Sequence, residues 1–213
     1  MSASTELICA CRRLAAMGMS PGSSGNVSVR DSAGILITPT GSSLSRVLEC
    51  DLVRLDRLGA VTASDGDDSE AGAAPSKEWP LHLAVYRERP DVRAIVHLHA
   101  PYSTAIACLA LRDGDRAPLA ALTPYATMRF RDLRVVPYAR PGSEQLAEEV
   151  GRFARRTRVM LLANHGSIVA AATLVDATDL SEELEAAAML EILTADRDRI
   201  RLSDEQLEDL RDG

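Results

Sequence analysis

A pair of alternating segments near the N-terminus constrains the fold most. NVSVR at residues 26–30 and GILITP at residues 34–39 alternate apolar and polar side chains on either side of a short DSAG turn. Alternation with a period of two is typical of a strand with one buried face, and the turn between the segments predicts a β-hairpin. The chain is therefore expected to fold around a sheet with neighbouring antiparallel strands.

Further strand and helix patterns follow along the chain. Strands are predicted at DLVRLD, RAIVHLHA, LRVVPYA and RVMLLANHG, which are short and rich in β-branched and apolar residues. Helices are predicted at residues 4–18, where Leu7, Cys11 and Leu14 share a face, and at residues 75–90, 101–111, 143–157 and 176–200. This mixture predicts an α/β sandwich with a largely antiparallel sheet between helical layers, and the length of 213 residues fits one large domain or two small ones.

The charge and composition argue against several classes of function. The net charge of −7 disfavours nonspecific nucleic-acid binding, which needs a basic surface. No apolar run is long enough to span a membrane, and the first residues lack a secretion signal, so a cytoplasmic protein is expected. The four cysteines form no C-x-x-C pair, and there is no P-loop or G-x-G-x-x-G motif for a nucleotide. The acidic segment at residues 62–74 is predicted to be a mobile loop.

The strongest chemical signal is the pair His97 and His99. Residues two apart on a strand face the same side, so both imidazoles can reach one metal ion. His165 follows another apolar strand pattern, at a position where a side chain can enter a cleft from an anchored backbone. Three neutral imidazoles with an open fourth position are a catalytic zinc arrangement. Three half-buried structural histidines are the alternative.

Two further ionisable residues lie at the start of the helix predicted at residues 75–90, for which Ser76 is a candidate N-cap. Glu78 is in the first turn, where a carboxylate is as consistent with a helix-dipole partner as with a functional group. His82 is four residues further on and shares a face with Glu78. It is expected to pack or hydrogen-bond beneath the site, with a role as fourth ligand as the alternative.

Three polar loops are candidates for a phosphate site: Gly25-Asn26, Thr40-Gly41-Ser42 and Ser76-Lys77. Glycine exposes backbone N–H groups, serine and threonine add hydroxyls, and a helix start adds a favourable dipole. Lys77 adds a cation that could hold a carboxylate or a phosphate, or could simply be solvated. Each loop by itself is also typical of an ordinary turn.

Taken in order, GNVSVR, ILITPTG, PSKE, VHLHAPYSTA, PYARPG and LLANHG resemble the motifs of the class II aldolase/adducin family over about residues 5–195. The resemblance implies a single domain over residues 1–213 that folds as a three-layer α/β/α sandwich, and a homotetramer with sites at subunit interfaces. It implies Zn²⁺, with Mn²⁺ or Co²⁺ as alternatives, held by His97, His99 and His165. It implies Glu78 as a catalytic acid/base that also covers the metal. It implies a small phosphorylated substrate bound by Asn26, Thr40, Gly41 and Ser76, to which the cation of Lys77 could add.

The sequences PSKE, LTPYATMR and LLANHG are most similar to the motifs of the 3-oxo-tetronate 4-phosphate decarboxylase branch of that family. The family's aldolases usually carry Ser-Ser-Glu in place of Ser76-Lys77-Glu78, and a tail tyrosine, whereas no tyrosine follows Tyr138 here. The resemblance thus implies a metal-dependent lyase that converts the keto acid to dihydroxyacetone phosphate through a metal-stabilised enediolate. The alternatives are an L-fuculose-phosphate-type aldolase, a sugar-phosphate epimerase, and a non-catalytic scaffold like the adducin head.

Overall fold

The computed structural model describes residues 2–62, 73–110 and 118–210. The helices are α1 (Ala3–Ala16), α2 (Trp79–Glu88), α3 (Pro101–Ala107), α4 (Pro124–Phe130), α5 (Glu144–Ala154), α6 (Leu174–Thr194) and α7 (Asp204–Asp209). The strands are β1 (Asn26–Asp31), β2 (Gly34–Ile37), β3 (Val53–Leu55), β4 (Ala94–Leu98), β5 (Arg134–Val136), β6 (Val159–Leu162) and β7 (Gly166–Ala171). None of the described helices is long and apolar enough to cross a membrane. The loop predicted at residues 62–74 falls largely outside the described residues.

The described strands form one sheet in the order β3-β2-β1-β4-β7-β6-β5. β5 and β6 are parallel, and every other neighbouring pair in this order is antiparallel. The predicted hairpin forms between β1 and β2, with Asp31 opposite Gly34. On the two sides of β4, Asn26 pairs with His97 and Leu98 pairs with Ser167. This register brings the starts of β1 and β7 to the carboxyl end of β4.

Helices cover both faces of the sheet. α2 and α5 pack on one face, where Leu81, Val85 and Val150 share a core with Ile95 of β4. α1, α3, α4 and α6 cover the other face in two clusters. The first cluster includes Leu7, Leu14, Ala177, Val96 and Leu98. The second includes Ile106, Phe130, Leu184 and Val169. Ile95 and Val96 of β4 lie on opposite faces because successive side chains of a strand alternate between the faces of a sheet. The three-layer α/β/α sandwich with a largely antiparallel sheet is therefore confirmed.

The start of α2 differs from the sequence prediction. The helix begins at Trp79, and its N-cap is Glu78 rather than Ser76. Ser76 instead donates its backbone N–H to the Thr38 carbonyl at 3.1 Å, and its Oγ accepts the Glu78 N–H at 3.3 Å. The Glu78 side chain makes no cap hydrogen bond. Its carboxylate can therefore point away from the helix, towards β4.

Candidate metal centre

The carboxyl end of β4 presents two imidazoles. β4 ends at Leu98, so His97 is inside the strand and His99 directly follows it. The His97 side chain is fully buried, and its Nδ1 lies 2.8 Å from the Ser167 carbonyl oxygen. Because a carbonyl oxygen only accepts, Nδ1 carries the proton and Nε2 presents a lone pair.

His165 reaches the same point through the tight turn between β6 and β7. Asn164 adopts a left-handed φ of 57°, which asparagine tolerates better than most residues. The next residue, Gly166, lies so close to β4 that a Cβ there would be 2.2 Å from the Leu98 carbonyl oxygen and 3.0 Å from His99 Cδ2. The absence of a side chain at Gly166 thus lets His165 approach His99.

Glu78 enters from the segment that precedes α2. Backbone hydrogen bonds from Thr40 to Ala74 (3.0 Å) and from Ser76 to Thr38 (3.1 Å) hold this segment beside the end of β2. The Glu78 side chain is only 13% exposed, and its Oε2 lies 3.0 Å from His97 Nε2. Its Oε1 lies 3.1 Å from His165 Nε2. One carboxylate therefore faces two of the three histidines.

Ligand atoms of Glu78, His97, His99 and His165 all lie within 4.8 Å of one another. The three imidazole centroids are 4.8, 4.9 and 5.0 Å apart, so the rings form a nearly regular triangle. With its proton on Nδ1, His97 turns the Nε2 lone pair towards a carboxylate oxygen. Two facing lone pairs repel each other unless a proton or a cation lies between them. Three imidazoles and a carboxylate in this arrangement fit a divalent metal such as zinc.

The electrostatics of the site favour its metal-binding protonation states. Burial alone would raise the pKa of Glu78, but when a proton rather than a metal lies between its carboxylate and the imidazoles, interactions with His97 and His165 bring it well below the ordinary range of glutamate. Burial, followed by the charges of His97 and His165, lowers the pKa of His99 to about 4. At pH 7 Glu78 is therefore ionised and His99 is neutral, as metal coordination requires.

The three polar loops predicted to bind phosphate meet beside Glu78. Thr38 and Val27 exchange two hydrogen bonds, of 3.1 and 3.2 Å, which join the start of β1, next to the Gly25-Asn26 loop, to the loop after β2. The backbone hydrogen bonds from Thr40 to Ala74 and from Ser76 to Thr38 connect the third loop, Ser76-Lys77, to the loop after β2. Asn26 and Ser76 are buried, at 3% and 6% exposure, whereas Thr40, Gly41 and Lys77 are exposed. The five predicted residues thus combine buried and accessible polar groups in one region.

The expectation that His82 packs or hydrogen-bonds beneath the site is confirmed, whereas the wider polar network that it belongs to was not predicted. His82 is fully buried and bonds to Asn26 through Nε2, and it lies outside the group of converging ligand atoms. Ser28 and Tyr86 extend this network. A signal for it exists in the spacing, because Asn26 and Ser28 are two apart on a strand and His82 and Tyr86 are four apart on a helix. The Ser167 carbonyl that orients His97 has no such signal, since backbone groups are the same in every residue.

Comparison with known proteins supports the resemblance inferred from the motifs. The family model described as Class II Aldolase and Adducin N-terminal domain matches residues 5–192. A 3-oxo-tetronate 4-phosphate decarboxylase of Haemophilus influenzae is 43% identical over 195 residues, which cover 91% of this chain and 88% of the relative. An L-fuculose phosphate aldolase of Escherichia coli O6:H1 is 35% identical over 190 residues, covering 89% and 82%. The crystal structure of YgbL from Klebsiella pneumoniae superposes with a TM-score of 0.87 at 35% identity, covering 98% of this chain and 97% of YgbL.

Proposed function

Because the chain belongs to the class II aldolase and adducin family, we propose that it is a metal-dependent carbon–carbon lyase that decarboxylates 3-oxo-tetronate 4-phosphate to dihydroxyacetone phosphate. The observation that carries the lyase proposal is the convergence of Glu78, His97, His99 and His165 within 4.8 Å. The choice of decarboxylation rests on similarity, since a decarboxylase relative is 43% identical and an aldolase relative 35%.

The three imidazoles of His97, His99 and His165 would hold the metal. A divalent metal held there supplies Lewis-acid stabilisation of the negative charge that develops on the substrate oxygens. Zinc is the metal that three neutral imidazoles with an open position favour, with manganese and cobalt as alternatives. Ser167 would keep His97 in the tautomer whose Nε2 is available, which is the usual role of a backbone carbonyl behind a metal-binding histidine.

Glu78 is the proposed proton carrier. When the bond between the carboxylate carbon and its neighbour breaks, carbon dioxide leaves and the electron pair delocalises into the adjacent carbonyl group. A proton must then reach the carbon that lost the carboxylate, and it comes from solvent. Glu78 lies at the site beside the proposed metal ligands, so its carboxylate is placed to relay that proton from solvent to the carbon.

Asn26, Thr40, Gly41, Ser76 and Lys77 are proposed to bind the anionic ends of the substrate. Lys77 is the only lysine in the sequence, which also contains 23 arginines. Its side chain is exposed, and its backbone lies close to Gly142, where an added Cβ would be 3.1 Å from the Lys77 carbonyl oxygen. A compact ammonium group on an anchored backbone suits the carboxylate that is to be lost.

The direct test is an assay of carbon dioxide release and dihydroxyacetone phosphate formation from 3-oxo-tetronate 4-phosphate, compared with aldehyde release from sugar phosphates. Lys77→Ser should lower kcat/KM for the keto acid by roughly 10- to 150-fold, as expected for the loss of one charged hydrogen bond of about 1.5–3 kcal/mol. Lys77→Arg, which keeps the charge, is the matched control and should lose less. Efficient cleavage of L-fuculose 1-phosphate with an untouched keto acid would instead establish the aldolase function.

The aldolase is the second candidate because aldolases of the family remain 35% identical over 89% of this chain. An epimerase would use the same metal centre, whereas a scaffold would have no use for four converging ligands. We further propose that residues 1–213 form one domain, that the protein is cytoplasmic, and that it assembles as a homotetramer with sites between subunits. Light scattering of the purified protein tests the assembly, and a fully active monomer at micromolar concentration would contradict it.

A further inference from the structure

A chain of hydrogen bonds runs from the interior of the protein to Glu78. Tyr86 Oη lies 2.9 Å from Ser28 Oγ, which lies 2.7 Å from His82 Nδ1. His82 Nε2 lies 2.5 Å from Asn26 Oδ1, and Asn26 Nδ2 donates to Glu78 Oε2 at 3.0 Å. Asn26 and Ser28 lie on β1, His82 and Tyr86 lie on α2, and Glu78 is the N-cap of α2. The chain thus joins the strand to the helix directly behind the metal centre.

The chemistry of the groups gives this chain a single direction. The ionised carboxylate of Glu78 can only accept, so the Asn26 amide must turn its NH₂ towards it. Asn26 Oδ1 then faces His82, whose Nε2 must carry the proton. His82 Nδ1 is left as an acceptor for the Ser28 hydroxyl, and Ser28 Oγ accepts from Tyr86. Burial, followed by the charge of His97, lowers the pKa of His82 to about 3, so the ring is neutral and has one N–H to give.

The reverse orientation of Asn26 is unfavourable at Glu78 and would force His82 and Ser28 to change. A flipped amide would turn Oδ1 towards the Glu78 carboxylate, which pairs two acceptors in a buried region, where an unmet polar group costs about 1–3 kcal/mol. His82 would have to carry its proton on Nδ1 instead of Nε2, and the Ser28 hydroxyl would have to accept from it. His82 is fully buried and Asn26 is 3% exposed, so water cannot easily replace the lost partners.

We propose that His82 is a positioning residue, which holds the Asn26 amide with its NH₂ on the Glu78 side, so that one N–H donates to Glu78 and the second can donate to the substrate phosphate. This inference rests on the proposed function, in which Asn26 is part of the phosphate site. An anion needs N–H donors, and an amide that presented its oxygen would repel it. His82 is not among the four residues whose ligand atoms converge, and its ring is fully buried. It would therefore affect the substrate only through its hydrogen bond to Asn26.

The test measures binding of inorganic phosphate to the metal-loaded protein by titration calorimetry, with metal content determined in parallel. His82→Leu should keep its metal and bind phosphate about tenfold or more weakly, because the amide loses the partner that orients it. His82→Gln, whose amide can reach a similar point with an N–H donor, should restore most of the binding. Tyr86→Phe is the matched control: it removes the far end of the chain, should lower the stability, and should leave phosphate binding unchanged.

The outcomes separate this inference from the proposed function. Wild-type phosphate binding that persists unchanged in His82→Leu would overturn the role of His82 and leave the lyase proposal intact. A wild-type protein that loads metal and binds no phosphate would overturn both. The ¹⁵N NMR signals of the His82 ring provide a measurement on the unmodified protein, independent of whether the leucine variant folds. A proton on Nε2 supports the proposed orientation, and a proton on Nδ1 would refute it.

Discussion

Replacement of Gly166 by alanine should separate β4 from β7 at the point where His99 and His165 approach each other. The new Cβ would lie 2.2 Å from the Leu98 carbonyl oxygen and 3.0 Å from His99 Cδ2. Ordinary van der Waals contact needs about 3.5 Å, so the backbones of β4 and β7 must move apart by roughly 1 Å. The contact is with a backbone carbonyl, which cannot rotate away as a flexible side chain could. We therefore expect the upper part of the range for overpacking, about 2–3 kcal/mol of lost stability.

The expected readouts are a fall in Tm of about 4–12 °C for a chain of this size, and weaker metal binding. His165 directly precedes Gly166, and metal–ligand distances tolerate only about 0.2 Å of change. Thermal unfolding followed by circular dichroism and metal content after gel filtration measure the two effects.

Gly151→Ala is the matched control, because a Cβ there would meet Ala84 Cβ at 3.4 Å, an ordinary contact. Gly151 lies inside α5, where alanine is favoured over glycine by about 0.5–1 kcal/mol. The two substitutions should therefore shift the Tm in opposite directions. A Gly166→Ala protein with wild-type Tm and full metal content would refute the argument from close approach.

Two other predictions concern the metal centre. Glu78→Gln keeps the size of the side chain and removes its charge, so the metal-loaded variant should lose roughly 10²-fold or more in kcat, and near-normal turnover would remove Glu78 from the mechanism. Removal of the metal by a chelator should lower the Tm, because a ligand that binds only the folded state stabilises it by mass action. Readdition of zinc should restore the Tm of the wild type but not that of His97→Ala. If neither the chelator nor added zinc changes the Tm of the wild type, a metal site at His97 is contradicted.

Local periodicity is sufficient to predict most of the strands of the sheet, and to predict that His97, His99 and His165 lie at or near strand ends. His97 and His99 are two apart at the end of β4, and His165 follows β6, which are properties of short segments. Features that depend on distant contacts were not predictable in this way. The N-cap of α2 is Glu78 because Ser76 is held by Thr38 of another loop, and nothing within the segment itself indicates this.

β7 and α4 were also absent from the sequence prediction. β7 is buried throughout, so its sequence GSIVAA lacks the alternation that marks a half-exposed strand. α4 is a helix of seven residues, PYATMRF, which is too short to show a clear helical period. Both elements acquire their structure from neighbours in the sheet and in α6, and a pattern search along one chain does not detect such contacts.

The position of the proposed metal centre follows from two glycines on either side of β4. Gly25, with a φ of 79°, passes so close that a Cβ would be 2.9 Å from the His97 carbonyl oxygen, and Gly166 approaches Leu98 from the other side. The neighbours of these glycines are Asn26 and His165, which reach the site from the start of β1 and from the turn before β7. Backbone contacts therefore set how closely these two residues approach the end of β4. Less of the free energy of metal binding would then be needed to order His165 against His97 and His99.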